Sequence, residues 1–138
     1  MNLMSLITDN IAEILIKIVK FTQTRQKILI QNIINVHDPG FVPQELEVDD
    51  FSIVINNAVD EHIRNQRLVL HDTENIKFGH SGSIEVKPVV DEHGKKLLEE
   101  NKDEYIERQI SKLWENSLNQ KVAAELLRQK QGTIPIDY

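Results

Sequence analysis

Residues 26–41 read QKILIQNIINVHDPGF, and how this stretch is folded decides how the rest of the chain is read. Ile28, Leu29, Ile33 and Val36 recur at three- and four-residue steps, which predicts a helix. Asn32 and Asn35 lie three apart, so they share one helical face, and each amide can donate and accept at once. The pattern then stops. Pro39 disfavours helical geometry at Asp38, and Gly40 permits a positive φ, so the helix should end near residue 37. Phe41 follows as an apolar residue able to fold back on the turn. An Asp38 carboxylate bond of the Asx type would complete it.

Upstream, Ile11, Ile14, Leu15, Ile18, Val19 and Phe21 carry the same period, with the polar TQTR (22–25) interrupting the stripe. A helix over 8–37 capped by Asp9 is expected. The far end of the chain mirrors it. Ile106, Ile110, Leu113, Trp114, Leu118, Val122 and Leu126 predict a helix over 102–131, with Asp103 as its cap and Gly132 and Pro135 as its stop. Its stripe should face the N-terminal helix or a neighbouring subunit, with Glu107, Lys112, Glu115 and Arg128 outward. The steps sit near 3.6 residues, so the stripe should wind around the helix and meet more than one neighbour. Residues 38–101 read differently. Phe51, Val54, Ile55, Ala58, Val59 and Ile63 predict a helix from Phe51 to Gln66. Beyond it Gly79, Gly82 and Gly94 suggest a mobile loop with one or two extended pieces, Ile84-Glu85-Val86 among them. The stretch DEHGKKLLEENKDE (91–104) reads as a solvated charged segment.

The expectation is one mainly α domain of 138 residues. Long terminal amphipathic helices pair in coiled-coil fashion around an irregular middle that holds a helix and short extended pieces. Ile11, Leu15, Ile18, Ile28 and Leu29 are expected as helix-packing residues, as are those of the C-terminal stripe. Such a pair buries its stripes poorly alone, so much of its order is expected to come from assembly. Charge is unevenly placed. Residues 38–104 hold seven Lys/Arg against sixteen Asp/Glu, while residues 1–37 carry four cations against two carboxylates. An acidic middle argues against a nucleic-acid partner. The chain has no cysteine, which excludes disulfides and thiolate metal sites. Asp9, Glu13 and Lys17 interrupt the apolar N-terminal run, so neither a cleaved secretory signal nor a membrane span is expected there.

The stretch NIINVHDPGF, with Arg25 and Gln26 upstream, resembles the N-terminal signature of bacterial flagellar rod and hook proteins, the FlgB-type proximal rod proteins in particular. That signature is Asn-(Ile/Leu)-Ala-Asn, two variable residues, then Thr/Ser-Pro-Gly and an aromatic. Asn32, Ile33, Asn35, Pro39, Gly40 and Phe41 match it; Ile34 replaces the small Ala, and Asp38 the Thr/Ser. The C-terminal segment DEYIERQISKLWENSLNQKVAAELLR (103–128) resembles the family's C-terminal helix at Asp103, Glu107, Ile110, Asn116, Leu118, Leu126 and Leu127, though GTIPIDY (132–138) breaks it early. The resemblance covers about half of the chain. It implies a structural subunit of the flagellar basal-body rod, exported without a cleaved signal and assembled in the periplasm. Its partners would be copies of itself, other rod subunits and ring or export-gate components.

No catalytic constellation is visible. His37, His62, His71, His80 and His93 are scattered without metal-ligand spacing, and FGHSGS (78–83) lacks the lysine of a phosphate loop. Tyr105 and Trp114 read as helix-packing residues. No cofactor, metal, small-molecule substrate or enzymatic activity is expected. The alternative to a rod subunit is a cytoplasmic helical adapter, for which the amphipathic ends suffice but the Asn-x-x-Asn…Pro-Gly-Phe stretch has no purpose.

Overall fold

The computed structural model describes residues 3–80 and 82–131. The chain is mainly helical: α1 (Leu3–Ile34), β1 (Gln44–Glu45), α2 (Val48–Asn65), β2 (Ile76–Phe78), β3 (Ile84–Val86), β4 (Val89–Val90), α3 (Glu92–Glu100) and α4 (Lys102–Gln131). The two long helices are each other's principal neighbours. The middle region lies along one flank of α1, through α2, β1 and β3.

The helix boundaries correct the sequence reading at three points. Helix α1 begins at Leu3, so Asp9 lies within it and not at its cap. TQTR, expected to interrupt its inward stripe, does not open that face to solvent. Thr22 and Arg25 are buried, and the Thr22 hydroxyl donates back to the Ile18 and Val19 carbonyls at 2.9 and 3.0 Å. Helix α4 has the expected extent, but its cap is Asn101, whose Oδ1 accepts the Glu104 N–H at 3.1 Å. Asn101 also ends α3, its own N–H donating to Leu97 O, so one residue serves two helices. Gly132 and Pro135 lie outside the described residues.

The middle region is more ordered than its glycines suggest. Helix α2 starts at Val48, three residues earlier than expected, and ends at Gln66 in a left-handed turn with φ 56°. Asn10 of α1 donates to the Gln66 carbonyl at 3.3 Å, which fixes that end. The segment expected as solvated charge contains α3. Asp91 caps it by accepting the Gly94 N–H at 2.9 Å. Strands β2 and β3 form an antiparallel hairpin, Lys77 opposite Glu85, and β1 pairs antiparallel with β4, Glu45 opposite Val89.

A single copy has a core of its own beneath α1. Phe21, Leu46, Phe51 and Ile76 are buried together, with Ile18, Ile28, Val48 and Ile55 around them. The Phe21 and Phe51 rings stack with centroids 3.9 Å apart. The hairpin is clamped to α1 by Lys17, which is fully buried. Its ammonium donates to the carbonyls of Gly79 (2.9 Å) and Ser83 (2.6 Å) and pairs with Glu13 at 3.1 Å. Glu13 in turn accepts the Gly82 N–H at 2.8 Å. Gly82 has φ +81°, and a Cβ there would lie 2.8 Å from Ile16, so both backbone and space demand glycine.

Candidate functional site

The motif residues are not used as one unit. Asn32 is buried in the seam between α1 and α4 and is fully engaged. Its Nδ2 donates to the Gln44 carbonyl (2.8 Å) and to Gln109 Oε1 (3.0 Å), while its Oδ1 accepts the Gln44 N–H (3.1 Å). The side-chain amide thus closes the free edge of β1 as a neighbouring strand would. The Asn32 backbone carbonyl accepts the Tyr105 hydroxyl at 2.8 Å. Burial pushes the Tyr105 phenol up to about 12, with the Asp91 charge adding to it, so the hydroxyl remains a donor throughout the neutral range. Asn35, by contrast, makes no side-chain hydrogen bond among the described residues; only its backbone is paired, with Gln31 and Asp38.

The turn follows the sequence reading in shape but not in its bond. Phe41 N–H donates to the Asp38 carbonyl at 3.2 Å, with Pro39 second and Gly40 third at φ +77°. This is a type II turn, which requires a positive φ at its third residue. No atom stands within 4 Å of a Cβ placed on Gly40, so the requirement is of backbone geometry alone. The Asp38 carboxylate makes no bond among the described residues, and Phe41 is half-buried and outside the core cluster.

Arg25 anchors a charge network that ties three elements to α1. Its guanidinium meets Glu45 of β1 through two bonds, Nε to Oε1 at 3.1 Å and Nη2 to Oε2 at 3.0 Å, and approaches Glu115 at 3.8 Å. Lys112 of α4 joins Glu45 (3.2 Å) to Asp91 (3.3 Å), the cap of α3. Burial pushes the Glu45 carboxyl up, but Arg25, the Leu46 N–H and Lys112 outweigh it and hold it below its ordinary 4.5. Burial likewise pushes the Asp91 carboxyl up, but the Gly94 N–H and Lys112 outweigh it and hold it below its ordinary 3.8. Both groups therefore bind protons more readily in the unfolded chain. Their contribution is present above about pH 4.5 and is lost as pH falls toward the depressed values. Thermal melts between about pH 7 and pH 3 should show the midpoint dropping below that point, and a Glu45→Gln/Asp91→Asn double variant should lose much of the drop. Equal acid sensitivity in the double variant would assign it elsewhere.

The seam decides which face of α4 meets α1, and of the two expected placements of the apolar stripe it is not the one against α1. The face against α1 carries Tyr105, Gln109, Asn116 and Ala123, with Lys112 and Leu113 half-buried, and Asn116 donates to the Thr22 carbonyl at 2.8 Å. Lys112, expected outward, points into the charge network, whereas Glu107 is exposed as expected. The apolar stripe is on the outside: Ile110, Trp114, Leu118, Val122 and Leu126 are all exposed, Trp114 at 75% and Leu118 at 63%. Ile106 is half-buried. On α1, Leu15 and Leu29 are buried, and Ile11, Ile18, Ile28, Ile33 and Gln26 are partly so. Polar pairing holds this face inward: Tyr105 and Asn116 donate to the Asn32 and Thr22 carbonyls of α1, and Gln109 Oε1 accepts the Asn32 amide, its own Nε2 being buried without a partner among the described residues.

The exposed stripe passes from one flank of α4 to the other. Ile110 and Trp114 share one flank with Gln26 of α1, while Leu118, Val122 and Leu126 line the opposite one. There, with Ile55 and Val48 of α2, they wall an open groove of about 480 Å³. Among the described residues no cluster of three or more His, Cys, Asp or Glu could hold a metal, and no helix is long and apolar enough to cross a membrane. Glu45, Asp91, Gln109 and Lys17 carry much of the polar organisation and were not singled out by sequence; only Asp91 had a local signal, its cap position three residues before Gly94.

Comparison with protein-family models, with curated proteins and with solved structures gives no match.

Proposed function

We propose that the chain is a structural subunit of the FlgB type, assembling with copies of itself and with other rod subunits in the flagellar basal body through its terminal helices. The observation that carries this reading is the apolar stripe of α4, outside the monomer from Ile110 to Leu126 while polar residues fill the seam. A contiguous exposed apolar surface on a long helix marks an interaction face. Because it winds around the helix, it offers contacts to neighbours on more than one side. Such contacts between different patches do not close, and they generate helical tubes. The coiled-coil-like pairing of α1 and α4 supplies a stiff unit for that packing. The Asn32 junction and the Asp38–Phe41 turn, on the residues that carry the family resemblance, give this stretch a structural use. In this reading the protein has no enzymatic role and needs no cofactor.

The test is a paired substitution on α4. Trp114→Asp should abolish rod assembly and swimming of the source cell while the purified variant keeps its helix content and thermal midpoint. A large exposed aromatic is the usual centre of a contact, its loss costing about 2–4 kcal/mol of association. Lys121→Ala, on an exposed position of the same helix, should be silent. Normal swimming with Trp114→Asp would remove this face from the assembly.

A further inference from the structure

The two exposed apolar surfaces of α4 differ in the charge around them. On one flank Ile110 and Trp114 border a shallow hollow of about 260 Å³ with Gln26 and Ser117. The outer face of α1 next to it carries exposed Lys20, Lys27, Ile30 and Ile34, and no Asp or Glu occurs between Glu13 and Asp38. This side is apolar and basic. On the other flank Leu118, Val122 and Leu126 wall the groove shared with α2. Carboxylates stand one helical turn from its lining residues: Asp49 before Ser52, Asp60 after Asn56, Glu115 before Leu118 and Glu125 after Val122. Arg64 and Arg128 answer Asp60 and Glu125, and Arg25 at the groove floor is held by Glu45. Asp49 makes no ion pair among the described residues, and Glu115 has only Arg25, at 3.8 Å. The mouth of the groove is therefore net acidic.

We propose that a second copy of this chain occupies the groove, inserting its own Ile110–Trp114 flank, with Lys27 toward the acidic mouth. Charge complementarity decides the occupant: a basic apolar face meets an acidic apolar groove. The spacing agrees. Ile110 and Trp114 lie four residues apart, as do Leu118, Val122 and Leu126, and rows of that step on two helices interdigitate. The indole also finds an acceptor. A buried Trp N–H needs a partner, and Ser52, Asn56 and Asn119 line the groove with side chains that make no hydrogen bond among the described residues. The two faces are different patches on opposite flanks of one helix. Each copy can use both at once, so the contact propagates without closing. It rests on the reading of the chain as a self-assembling subunit, and it names the two faces of successive copies that meet.

Trp114 is the chain's only tryptophan, so its emission reports this one contact. Trp114→Ala keeps the groove and loses the anchor, while Val122→Glu keeps the anchor and blocks the groove; both positions are exposed. Each variant should sediment as a monomer alone, at the helix content of the unaltered chain. Mixed, they should form a dimer that grows no further, and the tryptophan emission should shift to the blue only in the mixture. Ser52→Arg, on the α2 wall, is a second block and should replace Val122→Glu. Adding Lys27→Glu to the Val122→Glu chain should weaken the mixed dimer about tenfold. A mixture that stays monomeric while the unaltered chain associates would overturn the proposal, as would unchanged affinity with Lys27→Glu. So would an unaltered chain whose emission never shifts with concentration, or shifts only on vesicles containing phosphatidylglycerol, which would make the basic flank a lipid-facing surface. Any of these beside a non-swimming Trp114→Asp cell would leave the rod reading standing, with a different subunit against that flank.

Discussion

Lys17→Met lowers the stability of the folded chain by about 3 kcal/mol, whereas Lys20→Met, one turn on, changes it by less than about 0.5 kcal/mol. Both lysines sit on α1, but Lys17 is fully buried and Lys20 is exposed. The Lys17 ammonium is the donor to the Gly79 and Ser83 carbonyls and the partner of Glu13, which holds the Gly82 N–H. A methionine of similar length keeps the packing and removes the charge. The Gly79 carbonyl then loses its partner, while the Ser83 carbonyl keeps only the Gly79 N–H and Glu13 only the Gly82 N–H, and a group orphaned in a site that water reaches poorly costs about 1–3 kcal/mol. Urea unfolding followed by circular dichroism measures the difference. The β2–β3 hairpin should also lose amide protection selectively, because Lys17 is its main tie to α1. If the two variants unfold alike, the clamp does not hold the hairpin.

Asn32→Leu should cost about 3–4 kcal/mol, with Asn35→Leu within about 1 kcal/mol of the native chain. Leucine matches the volume of asparagine closely enough to avoid a large cavity, so the loss reports the polar groups. Gln44 N–H and C=O and the Gln109 amide oxygen would all lose their shared partner. The result would separate two residues that the motif treats as a pair: Asn32 ties α1 to β1 and α4, and Asn35 ties nothing through its side chain. A larger effect at Asn35 would show that its amide acts between subunits or in a bond the free chain does not make. Assembly measured beside stability distinguishes these, since only an intersubunit role leaves unfolding unchanged.

The sequence alone determined the periodic elements: the two long helices, α2, the strand at Ile84–Val86 and the turn at Pro39-Gly40. Each is set by local spacing or by the conformational limits of proline and glycine, and these need no distant partner. It could not determine which face of α4 turns inward. An apolar stripe is ordinarily the buried one, and here the tertiary structure buries Tyr105 and Asn116, which donate to α1 carbonyls, and Gln109, which accepts the Asn32 amide, while Ile110, Trp114 and Leu118 stay outside. The charged stretch that became α3 was hidden for a related reason. It has too few apolar residues to show a period, and its start is fixed by Asp91, whose second carboxylate oxygen is held by Lys112 from a helix 21 residues away. Lys17, Arg25 and Glu45 belong to the same class. Their burial depends on partners 20 to 66 positions distant, and no local pattern of residue types records such a pairing.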